Sequence, residues 1–220
     1  MLKNVCGASV RGISGLRLTP KLAGGTWKRR WLSSSGFSPL SPMSLDEVMK
    51  KDMIIEESPD RLKVIWTQYH NTKATSVGHT ISDEENQKMI ERLKESPIFI
   101  HPVFKDETGD TNIILLSQMQ EKYIMFTYLE EYKQNPDAAT QWASLKVYDD
   151  FASSKGLALV RGDLSPQLTR AEGDMLTRCM LHVYLDDTAY AQYVKTFNHA
   201  QAQFDFVAYI NFVKKVLNEQ

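Results

Sequence analysis

Before Asp46 this chain contains neither aspartate nor glutamate, although it has already placed Lys3, Arg11, Arg17, Lys21, Lys28, Arg29 and Arg30. A formal charge of −1 over 220 residues therefore averages a basic, acid-free segment and a remainder that holds all 27 acids. That acidic remainder lacks the clustered Lys and Arg that a phosphate backbone demands, which excludes nucleic acid as a partner. It also lacks any apolar run near the ~20 residues needed to cross a bilayer, so no membrane insertion is expected. Glycine is scarce: eleven in all, with Gly7, Gly12, Gly15, Gly24 and Gly25 before Trp27. Neither G-x-x-x-x-G-K-[ST] nor G-x-G-x-x-G occurs, and no nucleotide cofactor is expected. The histidines His70, His79, His101, His182 and His199 form no H-x-x-x-H pair and have no cysteine partner, so no metal site is expected either. No G-x-S-x-G elbow is present.

What the first 45 residues do contain is Arg, Lys, Ser and Gly, the composition of an organellar presequence. A secretory signal needs an uninterrupted apolar stretch of about 7–15 residues; here Arg11 and Arg17 break it. On a helix, Val10, Ile13, Leu16 and Leu18 would form a short apolar stripe beside those arginines. "RRWLSS" resembles a matrix-processing site, with Arg30 two residues before a cut after Leu32. The alternative is a basic tail for nucleic acid or anionic membrane. Residues 1–40 are read as a mitochondrial transit peptide and linker, and residues 41–220 as one domain in the matrix. Cys6 would leave with the presequence. Cys179 alone then makes no intrachain disulfide, consistent with a reducing compartment.

"SPLSPMS" reads as a linker, and "LDEVMKKDMI" as a short amphipathic helix through Leu45, Val48, Met49 and Met53. Ser58-Pro59 is a helix start, an N-capping Ser with Pro at the first helical position, and Leu62, Ile65, Trp66 and Tyr69 follow at helical spacing. Ser82 with Glu85 and Thr169 with Glu172 are capping boxes. The first opens a helix with Met89, Ile90 and Leu93 inward. The second opens one with Leu176, Cys179, Met180 and Val183 inward. Gly173 inside that helix costs about 1 kcal/mol relative to Ala. "IFIHPVFK", "NIILLSQMQ", "YIMFTYL", "SLKVY" and "GLALVRG" are short, β-branched and aromatic, and "DETGD" joins the first two as a hairpin. "AQYVKTFNH" looks extended, and "DFVAYINFVKKVL" is a final helix. The expected class is α+β: a single domain, mainly an antiparallel sheet of five to six strands with flanking helices.

Chemistry-bearing residues are sparse. Cys179 lies on an apolar helix face, His182 on its flank and His101 within an apolar strand. All three read as packing residues. Asp149-Asp150 and Asp186-Asp187 read as solvated turns. A dispersed site such as His101, His199 and Asp163 is the rival reading, that of a matrix enzyme.

Several segments, in order from Leu45 to Leu217, resemble one family. They are "SLDEVMKKDMIIEESPDRLKVIWTQYHNTK", "SPIFIHPVFKDETGD", "FTYLEEYKQNPDAA", "YDDFASSKGLALVRGDL" and "TFNHAQAQFDF". On them the chain is similar to the assembly-factor-1 family of the F(1) sector of mitochondrial ATP synthase. It departs from the family pattern at Phe151, Ala158, Gln201 and Gly173. The resemblance implies a chaperone, not an enzyme. It would bind the unassembled β subunit of F(1) without ATP, prevent its aggregation and yield it to the α subunit. A monomer is expected.

Two surfaces are candidates for the client. "IFIHPVF" is apolar on both faces, with Ile98, Ile100 and Phe104 on one and Phe99 on the other. An uncovered face would mark a partner site, unless helices cover both. The second is the segment carrying Phe197, Asn198, His199 and Phe204, whose alternative is a loop pinned by its aromatics.

Overall fold

The computed structural model describes residues 43–218 apart from 107, 108, 110, 121 and 122. The expected presequence, 1–40, lies outside the described residues.

Six strands form one antiparallel sheet: β1 (Ser76–Ser82), β2 (Ile98–Phe104), β3 (Asn112–Gln120), β4 (Tyr123–Tyr128), β5 (Gln141–Tyr148) and β6 (Leu157–Leu164). The spatial order is β1-β6-β5-β4-β3-β2. Strands β2 to β6 are thus a meander of sequential neighbours, and β1 joins the far edge, with Ser76 opposite Asp163. This is the expected α+β class, with one strand that the periodicity did not announce. In β1 only Val77 and Ile81 are apolar and buried, a signal too short to separate from a loop.

Alternation divides the sheet into two faces. Val77, Val160, Leu145, Phe126, Leu115 and Phe99 fall on one of them through the strand registers. Helix α7 (Arg170–Leu185) packs there against β1, β2 and β6. A helix that meets both edge strands requires the sheet to curl around it. Helix α4 (Asp83–Glu95) runs from the end of β1 to the start of β2 and packs beside α7. The opposite face at β5 and β6, with Tyr148, Leu157 and Leu159, forms a second core with Leu45, Ile54, Leu62 and Trp66. These belong to α1 (Leu45–Val48), α2 (Lys51–Ile54) and α3 (Pro59–Asn71). Helix α5 (Leu129–Gln134) covers β3 and β4, and the short α6 (Ala152–Lys155) leads into β6.

The helix starts follow local chemistry. Ser58 Oγ accepts from the Arg61 amide at 3.3 Å, with Pro59 at the first position. In the α4 box, the Ser82 amide donates to Glu85 Oε2 at 2.8 Å and Ser82 Oγ accepts from the Glu85 amide at 3.1 Å. Thr169 and Glu172 repeat that exchange at α7. "LDEVMKKDMI" is not one helix but two, because Met49 is extended (φ −150°, ψ 153°). Ile54 is buried there in place of Met53, which is 71% exposed.

Close approach requires glycine at Gly78 and at Gly173. A Cβ on Gly78 would stand 2.6 Å from Cγ of His70 and 2.9 Å from Nε1 of Trp66, so α3 lies directly on β1. A Cβ on Gly173 would collide with the Leu164 methyls. The glycine that weakens α7 as an isolated helix lets it sit down on β6.

The segment expected to be extended, 191–199, is helical. After the short α8 (Asp187–Ala189), the chain forms a π-helix, Tyr190–Lys195, continued by α9 (Thr196–His199). Tyr190, Tyr193, Val194 and Phe197 recur at helical spacing and are buried together. That stripe outweighs the β-branched and aromatic content on which the extended reading rested.

Candidate functional site

The two groups of candidate residues meet, but in the interior. Phe99 is fully buried, and its ring stands edge-on to Phe197 at 5.4 Å, Phe204 at 6.1 Å and Tyr209 at 5.0 Å. Ile100, Phe104 and Phe197 are also buried, while Ile98, Asn198 and Phe204 are half-buried. Only His199 is exposed. The burial of Phe99, Ile100, Val103 and Phe104 leaves no open apolar face along "IFIHPVF". Helices cover both sides, because a strand apolar on both faces is stable only when both are packed.

The role of the "TFNH" segment is to close an edge. Met119 N–H donates to the Pro97 carbonyl at 2.9 Å and Lys105 N–H to Thr111 at 2.8 Å. The odd residues of β2 therefore bond to β3, and the even ones turn their backbone groups outward. Outward-facing groups invite another strand, and here those of Ile98 and the Ile100 carbonyl are answered. Asn198 Nδ2 donates to the Ile98 carbonyl at 2.6 Å, and its Oδ1 accepts from the Ile98 amide at 3.4 Å. The Tyr209 hydroxyl, on α10 (Phe206–Asn218), donates to the Ile100 carbonyl at 3.0 Å. Pro102 has no amide hydrogen to leave open. Asn198→Leu is expected to cost about 1–3 kcal/mol through the uncovered Ile98 groups. It should also speed hydrogen exchange of the Ile98 amide before other β2 amides, as amide exchange with mass spectrometry would show.

The titratable residues are tuned for packing. His101 Nε2 lies 3.0 Å from Ser117 Oγ, which itself donates to the Phe99 carbonyl, so the imidazole donates through Nε2. Burial pushes the His101 pKa down to about 3. Burial likewise lowers His70 to about 4, against the opposing pull of its Nδ1 bond to the Trp66 carbonyl. The Cys179 thiol is pushed up to about 12 by burial. Neutral imidazoles and an un-ionised thiol inside the core are poor acid–base groups at pH 7. The rival trio does not converge. His101 faces the α7 side of the sheet, whereas Asp163 is held by Arg161 at 2.6 Å on the opposite face, four strands away. His199 Nε2 contacts Ser96 Oγ at 3.3 Å beside the start of β2. Among the described residues no three His, Cys, Asp or Glu are placed to share a metal ion. No helix among them is long and apolar enough to cross a membrane.

Among the described residues, apolar surface remains singly at Met53, Ile55 and Val64 and in two further places. Along α10, Val207 is 52% exposed and Phe206, Ile210 and Phe212 are half-buried. The other place is a groove of about 450 Å³, assembled from α1, α4 and the ends of β3, β4 and β5. Ile124 and Leu145 line it from the sheet, and Met89, Ile90 and Leu93 from α4. Asn86, 1% exposed, lines it too, and neither atom of its carboxamide has a hydrogen-bond partner among the described residues. Sequence reasoning passed over this residue, although the signal was present. Asn86 opens the i, i+3, i+4, i+7 stripe continued by Met89, Ile90 and Leu93, and is the one polar member of an inward face.

Fold and site together define a class: a single-domain α+β protein with one antiparallel sheet, flanking helices and one largely apolar groove. A model of the ATP11 protein family matches residues 27–210. The chain therefore belongs to that family, the assembly-factor-1 family of the F(1) sector of ATP synthase. This is a mitochondrial family of assembly chaperones. No curated protein matches the chain.

Proposed function

We propose that this chain is an ATP-independent holdase for the unassembled β subunit of the F(1) sector. It acts in the mitochondrial matrix, as a monomer, after removal of its basic presequence. The family match over residues 27–210 carries this reading. The structure supports it through the apolar groove and the half-covered α10, both open to a partner. Exchange of β to the α subunit needs only that α bind β better, because differential affinity shifts an equilibrium without hydrolysis. A dispersed matrix enzyme is the weaker reading, since His101, His199 and Asp163 stand apart.

The test mixes the protein with isolated β subunit in the absence of nucleotide. Suppressed β aggregation and co-elution are expected, retained in high salt because an apolar contact is little screened, and reversed by added α subunit. Aggregation as fast as with an inert control, or suppression only with ATP hydrolysis, sinks the proposal. N-terminal sequencing of protein recovered from mitochondria checks the address, and an intact Met1 would contradict it.

A further inference from the structure

The two edges of the sheet are finished differently. At β2, side chains of the C-terminal segment take the outward groups of Ile98 and the Ile100 carbonyl. At β1, the register decides which groups point outward. Leu164 N–H donates to the Thr75 carbonyl at 2.8 Å, and Asp83 N–H to the Gly156 carbonyl at 3.1 Å. The odd residues of β1 therefore bond to β6, while Gly78, Thr80 and Ser82 turn their amides away from it. The Ser82 amide is taken by Glu85 in the α4 box. Among the described residues, nothing bonds to the amide or the carbonyl of Gly78 or Thr80.

This open stretch is also recessed. Gly78, His79 and Thr80 are half-buried, although they form the rim of a sheet. A hollow lies on either side, of about 300 Å³ toward α3 and about 280 Å³ toward α7. Thr80 and Ile81 line both of them. Pro59 and Lys63 of α3 wall the first, and Leu181, His182 and Leu185 of α7 wall the second.

Unpaired groups on alternate residues repeat about every 7 Å along a strand, at ~3.3 Å per residue. Their complement is the backbone of another extended chain. Side chains of such a chain alternate in direction, so successive ones would enter the α3 hollow and the α7 hollow in turn. Both walls mix apolar with charged residues, so the main chain would carry recognition and side-chain selection would be loose. A recess between two helices admits a single extended chain, but not the rim of a second folded copy.

We propose that β1 is a strand-addition site, where an extended segment of the client pairs with Gly78 and Thr80 as a seventh strand. The inference rests on the holdase reading and deepens it by naming where and how the client is held. A client strand paired here has one edge fewer through which to aggregate.

Thr80→Pro tests this without breaking the sheet, because the amide it removes faces away from β6. The variant is expected to keep its circular dichroism spectrum and to hold the β subunit about tenfold more weakly or worse. Amide exchange gives a second readout on the unaltered protein. Alone, Gly78 and Thr80 should exchange quickly, while Val77 and His79 exchange slowly behind their bonds to β6. With β held, Gly78 and Thr80 should slow about tenfold or more. Full holding by Thr80→Pro overturns the site and leaves the holdase reading standing, as do Gly78 and Thr80 amides that stay fast while β is held. Slow exchange of both amides in the protein alone also overturns it, since a second copy or the chain itself would then fill the edge. If Thr80→Pro does not fold, the exchange of the unaltered protein decides. If the wild type fails to hold β, the holdase reading falls, and the site is judged with a blocked heptapeptide of alternating valine and threonine. That peptide should slow the Gly78 and Thr80 amides and bind Thr80→Pro about tenfold more weakly. Unchanged exchange or equal affinities overturn the site.

Discussion

Phe99→Ala is expected to lower the unfolding free energy by about 3–5 kcal/mol, the usual cost of deleting a fully packed ring. The ring sits at the junction of β2, α9 and α10, enclosed by Phe197, Phe204, Tyr209 and His101. Three of those neighbours lie in the C-terminal segment that seals the β2 edge, so the cavity opens under the seal itself. Urea unfolding measures the effect as a lower midpoint at unchanged slope. If Phe99 were instead a client contact on a free surface, Ala would leave stability within about 0.5 kcal/mol and weaken only holding. That pattern would refute the placement of Phe99 in the core.

Acid should destabilise the protein well above the range in which its carboxylates titrate. In the folded chain His101 holds its proton only near pH 3 and His70 near pH 4, against 6.5 for a solvated imidazole. Below pH 6.5 the unfolded chain therefore binds protons that the native state refuses. Stability is lost as pH falls through the window from 6.5 to the depressed native values, and neither group contributes above it. Each histidine removes at most about 1.4 kcal/mol per pH unit, so His101 alone is worth about 2–3 kcal/mol by pH 4.5. Asp174, whose carboxyl is held low first by its contact with His79 and also by Arg178, adds its loss only at lower pH. Urea unfolding of His101→Leu at several pH values checks the assignment, since the variant should lose about one proton of slope. Parallel stability–pH curves for variant and wild type would refute it.

Much of the frame was readable because its signals are local. Ser58-Pro59, Ser82/Glu85 and Thr169/Glu172 announce three helices within four residues each, and all three exist as read. The hairpin of β2 and β3 follows from two apolar runs around a turn. Burial of Cys179 followed from its place in the α7 stripe. What escaped was non-local. Strand β1 is fixed by β6, far along the chain, and by the α3 rings over Gly78. The client candidates were chosen for apolar character, which a packed strand and an exposed patch share. Phe99 and Phe197 differ from surface residues only in what another element places on them. Asn86 was the converse case, visible as a polar interruption but meaningful only once the sheet ends closed a groove beside it.

The position of β1 also governs the order of events as the chain folds. Strands β2 through β6 can zip by successive hairpins, each closing a short loop, whereas Ser82 must wait for Leu157 and Ser76 for Asp163. Closing a long loop is entropically costly and slow compared with local contacts. The Trp66 indole anchors α3 by donating to the Val160 carbonyl at 3.1 Å, so α3 cannot dock until β6 is in place. A chain that emerges N-terminus first would thus carry its first forty described residues unfolded until its middle is complete. That early part becomes structured only after strands that follow it in the chain.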